Sequence, residues 1–150
     1  MHPYFRTTLL LFIALFLGQL IFALVATYLA TGQFMKPTPI LSFRFIVPGL
    51  LIGAATIVLI LNAQNRQQAQ HFENLEAKLQ HYRQRLIIRL AILEGANLVA
   101  IVAALLTGHL NYLLLFLIGL GLFIYYRPRA DEFRRDYDLT AQEEALFSGR

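Results

Sequence analysis

The sequence predicts an all-α integral membrane protein: a four-helix bundle of two hairpins, with both termini in the cytoplasm. Three observations predict it. Hydrophobic residues make up 57% of the 150 positions and charged residues only 15%, against roughly 45–50% and about 25% in soluble domains. The apolar residues gather into four long runs, and hydrocarbon about 30 Å thick needs roughly 20 helical residues to cross it. Most Lys and Arg residues lie on one side of those runs, which short loops assign to the cytoplasm. The whole chain, 1–150, reads as one membrane domain, because four spans leave no room for a separate soluble one.

The first span is expected at 7–31. Arg6 precedes it as in a signal peptide, but its apolar core exceeds the roughly 7–15 residues of a signal segment, so it reads as a retained span. Pro37 and Pro39 mark an irregular connection, since proline lacks an amide donor and disfavours helix at the residue before it. The second span, 45–62, carries Pro48 and the pair Gly49 and Gly53 in GxxxG spacing. Small residues four apart let a second helix approach closely in lipid.

Between 63 and 85 the chain is polar and reads as a cytoplasmic loop, yet Phe72, Leu75, Leu79, Tyr82 and Leu86 recur at spacings of three and four. That stripe predicts a helix. It starts near an Asn74 N-cap, with Glu76 in its first turn, and runs on into the third span, 86–106. The stripe has two candidate partners, the end of the second span and a neighbouring subunit; the alternative is a solvated helical loop. A tight turn from Thr107 to Asn111 leads to the short fourth span, 112–126, and Pro128 ends it. In the tail, 127–150, Phe133 and Tyr137 lie one turn apart, and Thr140 with Glu143 forms a capping box opening a last small helix.

Orientation follows from charge. Arg6, Arg66, Lys78, Arg83, Arg85, Arg127, Arg129, Arg134 and Arg135 fall on one side, and Lys36 and Arg44 on the other. The pI of about 9.7 therefore reflects membrane anchoring and not a nucleic-acid surface. Tyr4, Tyr125 and Tyr126 at one level, with Tyr28, Phe34 and Tyr112 at the other, suit aromatic belts. The endings Tyr-Leu-Ala-Thr-Gly at Gly32 and Ala-Leu-Leu-Thr-Gly at Gly108 are open to two readings, a repeated hairpin or coincidence between apolar segments.

The intramembrane polar cluster is Glu94, Asn97 and Gln19. Glu94 lies about 12 Å into the third span at 1.5 Å per residue. A charge at that depth costs roughly 2.5–3.5 kcal/mol and is expected to face a partner. Asn97 shares its helical face, and Gln19, at matching depth in the first span, is the expected interhelical partner of Glu94. Glu94 has three readings: a structural hydrogen bond, a proton or cation site, or a contact to lipid or another helix. Gly49, Gly53, Ala96 and Ala100 are candidate helix-packing positions. Arg89 is shallow enough to snorkel to the interface, where Arg127, Arg129, Arg134 and Arg135 are candidates for anionic headgroups.

With no Cys in the chain, disulfides, thiolate nucleophiles and Cys-based metal sites are excluded. His2, His71, His81 and His109 show no metal-ligand spacing, and Ser42 and Ser148 lack a nucleophile-elbow context. No enzyme signature, metal site or cofactor is expected.

The stretch Lys78 to Glu94, with Tyr82-Arg83, Leu86-Ile87-Ile88-Arg89 and Leu93-Glu94-Gly95, resembles a family of small uncharacterised four-span bacterial inner-membrane proteins. The Thr107-Gly108 turn and the Arg127-Pro128 stop fit it too. That resemblance implies the fold and location but no activity. Glu94-Gly95-Ala96-Asn97-Leu98-Val99-Ala100 is also similar to the carboxylate helix of the duplicated rotary-ATPase proteolipid. That resemblance implies proton or cation conduction; the glycine-rich inner helix is missing here, and the carboxylate lies on the first helix of its hairpin. The expected function is a non-enzymatic structural or accessory membrane subunit, self-associating as a homo-oligomer or held in a larger complex. The alternatives are conduction through Glu94 and binding of anionic lipid.

Overall fold

The computed structural model describes residues 3–32, 42–69, 72 and 74–148. The connection through Phe34, Lys36, Pro37 and Pro39 lies outside the described residues, as do His2 and His71 and the side chains of Tyr4, Arg66 and Ser148. The described residues form six helices and no strand: α1 (Pro3–Thr31), α2 (Phe43–Ala69), α3 (Leu75–Thr107), α4 (Asn111–Tyr125), α5 (Ala130–Tyr137) and α6 (Ala141–Ser148).

Three of them, α1, α2 and α3, are long and apolar enough to cross a membrane. The fourth, α4, has only 15 residues, about 22 Å at 1.5 Å per residue. It meets the same criterion only when joined to α5 across a 58° bend, and α5 is the charged octapeptide ADEFRRDY. Threonines inside the apolar helices hide their hydroxyls: Thr27 and Thr31 donate to carbonyls one turn back, at 2.7 and 2.8 Å.

The helix that spans 33 residues, α3, is about 50 Å long at 1.5 Å per residue, well beyond hydrocarbon thickness. As the stripe predicts, it starts at Leu75, with Asn74 at the N-cap position and Glu76 in its first turn; the Asn74 side chain makes no capping bond. The expected polar loop is much shorter than 63–85. No Gly or Pro occurs between Asn62 and Glu94, and α2 continues to Ala69.

The turn after α3 depends on glycine. Gly108 has φ of 68°, and its N–H donates to the Ala104 carbonyl, a left-handed C-cap that a side chain disfavours. Thr107 completes it, donating to Ala103 at 2.6 Å and accepting from the His109 N–H at 3.2 Å.

The central helix is α3, which packs against α1, α2 and α4. Half of its most apolar window is buried, against 11% for α1 and 22% for α2. One apolar cluster joins Phe12, Val58, Leu90, Leu93 and Phe123, and a second joins Ala26, Val47, Ile101 and Phe116. Outward, Ile21, Leu24, Phe45, Ile52, Leu114 and Ile118 are more than half exposed. Apolar surface on that scale, spread over three helices, is what lipid covers and water does not. The chain is consistent with a multi-pass membrane protein.

The stripe Leu79, Tyr82 and its neighbours packs in a third cluster, with Phe5, Ala69, Phe133, Tyr137 and Phe147. Its partners are therefore mainly the chain's own tail helices, α5 and α6, rather than the end of α2 alone. Phe133 is the hub: its ring lies 5.0–5.3 Å from those of Tyr137, Phe147 and Tyr82.

Candidate functional site

Two polar constellations stand out, one deep in the helices and one where their basic ends meet the tail. In the deep one, Asn97 Nδ2 on α3 donates to Gln19 Oε1 on α1 at 2.8 Å. Both residues are sealed from solvent, at 0% and 1% exposure. The second amide atoms, Gln19 Nε2 and Asn97 Oδ1, have no partner among the described residues. Gly119 on α4 faces this pair: a Cβ there would collide with Asn97 Oδ1 and press on the Leu51 side chain. The glycine is thus a packing residue, set opposite a buried amide.

Glu94 is outside that contact. It is half-buried, and makes no hydrogen bond or ion pair with the described residues. On the same helix Ala91 and Gly95 are exposed, so Glu94 borders a side of α3 that the chain leaves open. Ala96, Ala100 and Ala104 are buried against neighbouring helices. Gly49 is exposed and Gly53 half-buried, and a Cβ on either would meet nothing within 4 Å.

The second constellation is a ladder of charges between α3 and α5. Arg85 and Arg89 are one turn apart on α3, and Glu132 and Asp136 one turn apart on α5. Arg89 donates to Glu132 at 2.9 and 3.4 Å, and Arg85 to Asp136 at 3.0 Å. A single oxygen, Asn62 Oδ1 on α2, accepts from both guanidiniums at 3.2 Å. Arg89 also donates to the Tyr126 carbonyl at 2.9 Å, with its guanidinium 5.0 Å from the centre of that ring. Two like charges at this spacing repel on a bare helix; here two carboxylates and an amide oxygen compensate them.

These groups are buried. The side chains of Arg85, Arg89 and Asp136 are 3%, 2% and 2% exposed. Arg89, expected to snorkel outward, instead turns inward onto α5. Removing charges from water costs several kcal/mol per ion unless other bonds replace hydration, and the ladder supplies most of those bonds. The Nε atoms of both arginines stay without a partner among the described residues.

Further bonds extend the ladder along α3. The Tyr82 hydroxyl donates to the Arg129 carbonyl at 3.2 Å and accepts from its N–H at 3.1 Å, holding the α4–α5 corner. Burial, and then the nearby Glu132 carboxylate, pushes Tyr82 up to about 12, so it stays a donor. His81 Nδ1 and the Tyr137 hydroxyl share a 2.6 Å hydrogen bond. Burial first, and the Arg85 charge second, hold His81 below its usual range, and burial raises Tyr137 to about 12.

Lys78 Nζ donates to both oxygens of Glu143, at 3.0 and 2.9 Å. Glu143 also forms the capping box: its Oε2 accepts from the Thr140 N–H at 2.9 Å, and its own N–H donates to Thr140 Oγ1 at 3.3 Å. One carboxylate therefore opens α6 and pins it to α3. Burial raises the Glu143 carboxyl, but the Thr140 and Lys78 hydrogen bonds and the Lys78 charge outweigh it and leave the group below its usual range.

Among the remaining candidates, Arg134 pairs with Glu144 at 2.8 Å and Asp131 at 3.5 Å, and stands over the Phe147 ring at 5.6 Å. Arg135 lies 3.6 Å from Asp136. Arg129 stands over Tyr125 at 5.6 Å, and Arg127 is exposed. Sequence reasoning missed Asn62, Glu132, Asp136 and Gly119. A signal for the ladder was present: two arginines and two acids, each pair four residues apart, on segments read separately as helices.

Comparison of the chain with protein-family models, curated proteins and solved structures finds no match.

Proposed function

We propose that the chain is a four-span protein of a bacterial inner membrane, a four-helix bundle of two hairpins with both termini in the cytoplasm. Its role is that of a non-enzymatic structural or accessory subunit, in a homo-oligomer or a larger membrane complex. The observation that carries this reading is the buried ladder. Arg85 and Arg89 hold Asp136, Glu132 and Asn62, so the strongest charged groups of the basic end fasten the chain's own tail. Such groups build a rigid platform at one membrane face. The open side of α3 at Ala91 and Gly95 and the open Gly49 and Gly53 positions supply helix surface for association, where small residues favour close approach. The suggested kinship with small four-span bacterial proteins fits the same reading. Native mass spectrometry from mild detergent tests it: a defined oligomer or a stoichiometric partner is expected, and a monomer at working concentration contradicts it.

A second reading has its own observation. Glu94 lies within a span without a bonded partner among the described residues, which leaves its carboxyl free to take up a proton or cation as in a proteolipid. On that reading Glu94→Gln abolishes ion flux in proteoliposomes while assembly persists. Absence of flux in the unaltered protein removes it.

A further inference from the structure

A cleft of about 480 Å³ opens between α2 and the α4–α5 corner. Its lining combines apolar and aromatic side chains, Leu59 and Ala63 on α2 and Tyr125 on α4, with Arg129, Arg135, Asp131 and Glu132. The acids at this corner are already engaged. Glu132 is held by Arg89 at 2.9 Å, Asp136 by Arg85 at 3.0 Å, and Asp131, 94% exposed, lies 3.5 Å from Arg134. Arg129 forms no ion pair among the described residues, and its guanidinium stands over the Tyr125 ring at 5.6 Å. Arg135 lies 3.6 Å from Asp136, a carboxylate already held by Arg85, so Arg129 is the cleft cation left without a carboxylate among the described residues and Arg135 shares one.

Position adds the second half of the argument. The cleft lies where the apolar run of α4 stops, and two of its wall residues, Leu59 and Tyr125, are 60% and 63% exposed. A free anion has no use for that surface, whereas a phospholipid presents a phosphate and an acyl chain side by side. Guanidiniums pair with phosphate oxygens through charge-assisted hydrogen bonds, and basic pockets beside spans suit anionic headgroups. We propose that this cleft binds an anionic phospholipid, its phosphate between Arg129 and Arg135 and an acyl chain along Leu59 and Tyr125.

The inference rests on the membrane reading above, and the test separates the two. The full chain in mild detergent is offered phosphatidylglycerol or phosphatidylcholine, and retained lipid is read by native mass spectrometry. Phosphatidylglycerol is expected to be retained preferentially, with the preference falling roughly fivefold for each arginine removed in Arg129→Gln and Arg135→Gln. Tyr82 bonds the Arg129 backbone and not its side chain, so these variants keep the corner folded. Arg127→Gln, outside the cleft, is expected to keep the preference. An equal loss in Arg127→Gln overturns the site in favour of diffuse surface charge. Displacement of the lipid by millimolar inorganic phosphate overturns it in favour of a free-anion site. A detergent-dependent chain with no headgroup preference overturns the lipid site alone, and a chain that stays in solution without detergent overturns the membrane reading as well.

Discussion

Arg89 illustrates how a single side chain changes meaning once its neighbours are known. In the sequence it is a lone cation near the start of an apolar run, and such residues ordinarily reach outward to the interface. In the fold it is 2% exposed and donates to Glu132, Asn62 and the Tyr126 carbonyl. Nothing in its local sequence points to Glu132, 43 positions away. Arg89→Gln should therefore cost about 3 kcal/mol, because it leaves the largely buried Glu132 carboxylate with only the longer Arg85 contact at 3.9 Å. Adding Glu132→Gln should restore part of that loss, as read from denaturant unfolding in detergent; equal stability of Arg89→Gln and the unaltered chain would sink the ladder's structural role. Glu143 sets a pH dependence. Its carboxyl is held below its usual range of 4.5 in the folded chain, so it contributes stability above about pH 4.5, which is lost as pH falls through its lower folded value. Acid should thus release α6 in that window, seen as faster proteolysis of the tail, and Glu143→Gln should remove the step. The capping box itself was legible from Thr140 and Glu143 three apart, whereas the Lys78 contact was not.

At the scale of elements, α3 was the most legible. Its stripe, the Gly- and Pro-free stretch and the Thr107-Gly108 stop all point to one long helix, and it runs from Leu75 to Thr107. The same absence of breakers carries α2 to Ala69, a consequence that the polarity of 63–69 obscured, because polar composition argues for solvent contact and not against helix. The packing of α4 on α3 depends on a residue that spacing alone does not mark. Gly119 and Gly121 look equivalent in sequence, yet a Cβ at Gly119 strikes Asn97 Oδ1, and one at Gly121 meets nothing within 4 Å. Gly119→Ala should destabilise the fold by about 1–3 kcal/mol through overpacking, and Gly121→Ala should leave the melting temperature nearly unchanged. Equal behaviour of the two variants would contradict the tight approach of α4 at Asn97. Gln19, expected from its matching depth to bond Glu94, instead accepts from Asn97, while Glu94, on the same face as Asn97 in a helical projection, borders the open side of α3.

For the molecule as a whole, the helical class and the apolar exterior were written in composition, since long uncharged runs have few stable alternatives to helix in lipid. The docking of the tail was not, because it is made by side chains far apart in sequence: Tyr82 with Arg129, Arg85 with Asp136 and Lys78 with Glu143. Whether α4 crosses the bilayer decides the proposed architecture, since its 15 residues are fewer than the roughly 20 a straight crossing needs. Short spans are met by local thinning of the bilayer and by flanking anchors, and Tyr112, Tyr125 and Tyr126 are placed for that. The absence of native Cys makes the decisive measurement direct: single cysteines at Gln33, Gln67, His109 and Asp138, labelled in intact cells with a membrane-impermeant maleimide. The four-span reading predicts labelling at Gln33→Cys and His109→Cys, and protection at Gln67→Cys and Asp138→Cys until the membrane is opened. Labelling of His109→Cys and Asp138→Cys from the same side would contradict it.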